Sequence, residues 1–190
     1  MLEHLWAEGG GEPTPQGLLT PPVGTGARIR GEWRLGRRPG RACLGNRRSV
    51  SVGPDEILRI MEHEVPFNKL LGIRGESVGV GRTVVVLPVR PEHVGDWRRP
   101  ALHGGVVSAL IDTAGGAAAW SALGPGESVS TVDLRVDFLE PARTAGPLRA
   151  EAELVRKGNR VCHVRVACSQ DGVLVAEGRG VYNIHRMAER

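Results

Sequence analysis

The chain of 190 residues has no apolar run approaching the roughly 18 residues of a membrane span, and its N-terminus lacks the basic-then-apolar pattern of a secretion signal. A cytoplasmic location with no membrane partner is therefore expected. Cysteine is nearly absent. Cys43, Cys162 and Cys168 are odd in number and show neither CxxC nor Cys/His ligand spacing, which points to reduced, buried thiols. His63, His93, His163 and His185 also lack metal spacing, so no metal is expected. Lysine is scarce as well, two against 23 Arg, an imbalance that coding bias explains as readily as phosphate binding.

The net charge of +4 sits entirely at one end. Residues 1–52 carry eight Arg and four acidic residues, whereas residues 53–190 carry seventeen basic and seventeen acidic ones. The high pI is thus a property of the leader and gives no ground for expecting nucleic acid. That leader is rich in Gly, Pro and Arg, as in Gly9-Gly-Gly-Glu-Pro-Thr-Pro15, and has no sustained hydrophobic period. It cannot bury enough apolar surface to offset about 1 to 2 kcal/mol of chain entropy per residue, so residues 1–52 are predicted to be disordered. A basic tail touching nucleic acid or anionic membrane is the alternative reading.

Residues 53–190 have the texture of one folded domain. Pro54-Asp-Glu-Ile-Leu-Arg-Ile-Met-Glu-His63 has the proline, early acids and apolar stripe of a helix start. Val65 to Gly72 is predicted to turn the chain. Strands follow over Ile73–Val80 and Thr83–Val89, then a polar loop over residues 90–101. A long helix is predicted from Leu102 to Leu123, stopped by Gly124-Pro-Gly126. Four strands succeed it, over Ser128–Leu139, Pro147–Arg156, Arg160–Ser169 and Val173–Ile184, with alternation clear at Val132, Leu134, Val136 and Phe138. Lys157-Gly158-Asn159 and Gln170-Asp171-Gly172 read as hairpin turns. The order predicts an α+β domain whose curved antiparallel sheet wraps one hydrophobic helix.

On a helical wheel Val107, Leu110, Ile111, Ala114, Ala117 and Ala118 share one face. Asp112 lies almost opposite, beside Ser108, Gly115 and Ala119, whose small side chains would admit another backbone. Four glycines in this helix, each costing about 1 kcal/mol relative to alanine, call for a packing or ligand reason. The amides of Gly104 and Gly105 at the helix start form a donor site for negative charge, and Asp112 is a base or nucleophile two turns on.

Leu102-His-Gly-Gly-Val-Val, an acid nine residues after His103, and the runs Ser130-Thr-Val-Asp-Leu and Asp137-Phe-Leu-Glu-Pro-Ala142 resemble the hotdog fold and, within it, acyl-CoA thioesterases of the phenylacetate-pathway type. The resemblance covers roughly residues 54–186. It implies hydrolysis of an aryl- or medium-chain acyl-CoA with no cofactor. In such enzymes the Gly104 amide would polarise the thioester carbonyl, Asp112 would attack it or activate water, Thr131 would assist, and His103 would shape the carbonyl pocket. Where the family usually has Asn in the preceding loop, this chain has Gly95-Asp96-Trp97, so Asp96 stands in place of a neutral amide.

Eight residues at about 1.5 Å of rise put Gly104 and Asp112 roughly 12 Å apart along the helix. Reacting groups must approach within about 3 to 3.5 Å, so if both residues act, the acid serving one helix N-terminus comes from another subunit. A two-fold homodimer with shared sites, doubled into a homotetramer, is the expected assembly. Gly105, Ser108, Asp96 and Trp97 are the further substrate-side candidates. Lys157 and Arg160, at a hairpin with Arg156 and Asn159, are either a docking point for a nucleotide phosphate or an ordinary charged tip. Two other functions stay open: a hotdog dehydratase using His103 and Asp112 of opposite chains, and an acyl-CoA-binding protein without catalysis.

Overall fold

Pro54, free of any need to donate its missing N–H at a first helical position, opens α1 (Pro54–His63), and Ile57 and Met61 bury its apolar stripe. The computed structural model describes residues 52–96 and 98–186. The expectation of a disordered leader over residues 1–52 therefore lies outside the described residues, apart from Val52. The segment after α1, expected only to turn, makes a short helix, α2 (Pro66–Leu71), closed by Gly72 at φ 73°. Asn68 is buried there because its amide donates to Met61 O at 3.0 Å and its carbonyl oxygen accepts from Thr113 Oγ1 at 3.2 Å. The pair ties α2 to the residue next to Asp112.

The two strands predicted before the loop are β1 (Arg74–Gly79) and β2 (Arg82–Leu87), which pair antiparallel as a hairpin. The segment read as a polar loop contains more structure than its composition suggests. It holds a 3-10 turn at Pro91–His93 and a two-stranded ribbon of β3 (Val94–Asp96) and β4 (Ala101–Leu102). A Cβ at Gly95 would come within 2.7 Å of His103 Cα, so the absence of a side chain there lets the ribbon lie directly on the start of the long helix.

That helix, α3 (Gly104–Ser121), is followed by β5 (Glu127–Phe138), β6 (Leu148–Lys157), β7 (Val161–Gln170) and β8 (Val173–Arg186). The six long strands form one antiparallel sheet in the order β1-β2-β6-β7-β8-β5. Every residue of the predicted apolar face, from Val107 to Ala118, is buried against it. The alanines let helix and sheet approach closely. A Cβ at Gly178 on β8 would collide with Ile111, so the sheet also leaves out side chains where the helix has large ones. Asp171 and Gly172 both have positive φ, 49° and 78°, which suits a two-residue turn between β7 and β8. Among the described residues no helix is long and apolar enough to cross a membrane.

One detail of β5 corrects the simple alternation. Thr131 pairs with Tyr182 and Asp133 with the adjacent Val181, so Val132 is an extra, bulged residue, 64% exposed. The bulge puts Thr131, Leu134 and Val136 on the face toward α3. Strict alternation would have turned Val132 inward and Thr131 out to solvent.

Candidate active site

The first turn of a helix leaves amides without intrahelical partners, and here their disposition is specific. His103 is the N-cap, and its Nδ1 accepts the Gly105 N–H at 3.0 Å. An accepting Nδ1 puts the proton of the neutral ring on Nε2. The Val106 N–H goes to His103 O at 2.9 Å. Gly105, expected to share the task of binding negative charge, is thus engaged in capping. The Gly104 N–H makes no hydrogen bond among the described residues. It opens on a cleft of about 290 Å3 whose apolar walls include Leu102, Val107, Phe138, Leu139 and Val175. The Phe138 ring lies over Gly104, 3.3 Å from where a Cβ would be.

Asp112, half-buried two turns along α3, has one carboxylate oxygen held and the other open. Thr131 Oγ1 donates to Oδ1 at 2.9 Å, and the Tyr182 hydroxyl lies 3.3 Å from the same oxygen and 3.2 Å from the Asp112 carbonyl. Oδ2 has no partner among the described residues. Burial, then the neighbouring carboxylate, push the Tyr182 phenol well above its ordinary range, so it stays protonated and donates.

The small-residue strip beside Asp112 is not vacant for another subunit. Gly115 and Ala119 are buried within the chain, and a Cβ at Gly115 would collide with the Tyr182 hydroxyl. Ser108 directs its hydroxyl to Gly104 O at 3.0 Å. Asp96 accepts the Arg98 N–H at 2.9 Å, which holds its carboxyl below the usual range. Trp97 lies outside the described residues. Lys157 donates to Ala122 O at 2.8 Å, at the C-terminal end of α3, where its charge suits the helix dipole. Arg160 is exposed close by. These two stand at the opposite end of α3 from Gly104. No group of three or more His, Cys, Asp or Glu suited to hold a metal occurs among the described residues.

Tyr182, Phe138 and the Asn68–Thr113 bond were not legible in the sequence. The available signal was a lone tyrosine two residues after Gly180, on a strand facing a helix that itself carries Gly115-Gly116.

A curved sheet closed on one helix, with an unspent amide at the helix start above an apolar cleft and a carboxylate held on its flank, defines the hotdog class. The thioesterase superfamily model matches residues 100–176. The medium/long-chain acyl-CoA thioesterase YigI of Salmonella typhimurium is 31% identical over 136 residues, 64% of this chain and 87% of that protein. Among solved structures, a phenylacetic acid degradation-related protein of Ralstonia eutropha JMP134 matches with a TM-score of 0.59 at 30% identity, over 67% of this chain and 98% of that one. The PaaI protein of the E. coli phenylacetic acid degradation operon matches with a TM-score of 0.57 at 27% identity, over 64% and 84% respectively. The chain belongs to the thioesterase superfamily and is a thioester hydrolase of the hotdog fold.

Proposed function

We propose that the protein hydrolyses acyl-CoA thioesters with an aryl or medium-length acyl group, in sites shared between two copies of the chain. The observation that carries the reading is the single unspent first-turn amide, Gly104 N–H, facing an apolar cleft. As a nucleophile adds to the thioester carbonyl, charge grows on oxygen, and a fixed amide at the positive end of a helix dipole meets it; such a donor is worth about 3 to 4 kcal/mol of barrier. The apolar walls accept the acyl chain. Asp112 supplies the second function through its open Oδ2, by attack or by activating water, and Thr131 holds the other oxygen.

Since about 12 Å of helix rise separates Gly104 from Asp112, the carboxylate serving each amide comes from the partner. The twelve-residue edge strand β5, with Val132 and Phe138 exposed, is the element that a second copy would cover. Pairing of such dimers gives the proposed tetramer. The relatives named above act in the same direction, YigI by its name on medium and long acyl-CoA.

The test uses thiol release from a panel of aryl- and acyl-CoA esters. Asp112→Asn should abolish turnover. Gly104→Pro removes the amide proton, at a helical position that tolerates proline, while its Cβ would stand 3.3 Å from the Phe138 ring, and it should be inactive too. Mixing the two inactive variants by unfolding and refolding should restore about a quarter of wild-type activity, because half of the dimers are mixed and each of those carries one intact site of two. Wild-type turnover by Asp112→Asn would sink the assignment of that residue, and no recovery on mixing would sink the shared site.

A further inference from the structure

The geometry points to Tyr182 as the positioning residue of this site: its buried hydroxyl, together with Thr131, pins one oxygen of Asp112 so that the other faces the thioester. The inference rests on the reading of Asp112 given above.

Three independent features converge on it. First, register: Tyr182 on β8 pairs with Thr131 on β5, so both side chains leave the sheet on the face toward α3 and arrive at the same carboxylate. The Val132 bulge is what brings Thr131 onto that face. Second, space: Tyr182 is 1% exposed, and two glycines make its slot. A Cβ at Gly115 would strike the hydroxyl, and one at Gly180 would come within 2.7 Å of it. The ring lies back over Gly180 and reaches the helix at Gly115, so both the direction and the depth of the hydroxyl are fixed by neighbours that lack side chains. Third, chemistry: the phenol remains a donor, so the Oδ1 it faces is favoured as an anionic acceptor. With two O–H donors aimed at Oδ1, only Oδ2 has lone pairs available to a water or a carbonyl carbon. The hydroxyl also reaches the Asp112 carbonyl at 3.2 Å, which couples the side chain's orientation to the helix backbone.

No competing charge faces this pair. The titratable groups that the sheet turns toward α3 are Tyr182, the buried thiols Cys162 and Cys168 and, at the C-terminal end of the helix, Glu127, which accepts the Gly124 N–H at 2.9 Å and is paired with Arg186 at 3.0 Å and Lys157 at 3.8 Å. From α1 the buried contacts are Ile57 and Met61, from α2 the amide of Asn68. His163, Arg135, Arg165 and Arg179 lie on the opposite face.

Because Tyr182 is the only tyrosine of the chain, global 3-fluorotyrosine labelling places one fluorine reporter in the protein. Its 19F resonance should move in Asp112→Asn, whose neutral amide is a weaker acceptor, and stay in place in Asp171→Asn in the turn between β7 and β8. Tyr182→Phe keeps the ring and removes the donor. It should lower kcat about tenfold, the loss of one charge-assisted hydrogen bond, with KM nearly unchanged. A fluorine resonance unmoved in Asp112→Asn, or moving equally in Asp171→Asn, overturns the proposal, as does Tyr182→Phe with wild-type kcat. If Tyr182→Phe fails to fold, the fluorine comparison decides alone. That comparison reads the contact itself, so a failure of the thioesterase reading would leave it intact and be recognised separately.

Discussion

The adjacent glycines in the middle of α3 give the same substitution opposite signs. Replacing a helical glycine by alanine ordinarily stabilises by about 1 kcal/mol, because the unfolded chain loses freedom. At Gly116 an added Cβ would sit 3.6 Å from the Tyr182 ring, an ordinary contact, so Gly116→Ala should show that gain. At Gly115 the same methyl would collide with the Tyr182 hydroxyl, which has no free direction to move because Gly180 lies behind it. Overpacking costs about 1 to 3 kcal/mol. Displacing the hydroxyl from the Asp112 carboxylate costs about 1.5 to 3 kcal/mol more. After the propensity gain is subtracted, Gly115→Ala should be destabilised by roughly 1.5 to 5 kcal/mol. For a domain of this size about 1 kcal/mol corresponds to roughly 2 to 4 °C, so the two variants should melt on opposite sides of wild type. Thermal unfolding followed by circular dichroism at fixed protein concentration measures this directly. Two variants shifting in the same direction would refute the slot, since propensity alone cannot separate neighbouring glycines of one helix.

Thr131→Val removes the 2.9 Å donor to Asp112 without changing the side chain's shape, so kcat/KM should fall about tenfold; an unchanged kcat/KM would leave Thr131 as an ordinary strand residue. Burial lifts the Cys168 thiol from an ordinary value near 9.0 to about 12, so above pH 9 the unfolded chain releases a proton that the folded one keeps. Stability should therefore hold below pH 9 and fall as pH rises toward 12, by at most about 1.4 kcal/mol per pH unit from this group, and Cys168→Ala should flatten that decline in denaturant titrations. On the outer face of the sheet, Arg179 lies directly between Arg165 and Arg135, and among the described residues only Arg135 of the three has an acidic partner, Asp137 at 3.0 Å. Like charges directly opposite cost a few tenths of a kcal/mol, so Arg179→Thr should raise the melting midpoint by about 1 to 2 °C, an increment that salt should erase.

The sequence made the large elements legible where period and length agree. Six apolar positions on one face of α3 and a Gln-Asp-Gly turn before β8 both state a geometry that no neighbour needs to enforce. Length is the reason others were not read. Six residues are too few for α2 to show a helical period, and strands of three and two residues cannot show alternation, so β3 and β4 passed as loop. At Val132 alternation was present but the bulge overrode it, which is a tertiary choice made by pairing with β8. The site divides in the same way. Gly104 and Asp112 belong to one helix, and their spacing could be measured along it. Tyr182 reaches Asp112 from 70 residues away, and nothing local to either residue announces the contact.

Aromatic residues make up only 4% of the chain, and two of them meet α3 where the helix has glycine. Phe138 covers Gly104 and Tyr182 fills the space left by Gly115, while the His103 ring caps the helix over Gly105, where a Cβ would stand 2.9 Å from Nδ1. Each glycine lowers helix propensity by about 1 kcal/mol, and each of these three has a ring in the space it vacates. The weak helix formers are therefore placed where a bulky group must come close to the backbone, to leave an amide exposed at one end and to hold a carboxylate at the other. Gly116 has no such close neighbour within the chain, which is why it is the one expected to accept a methyl group.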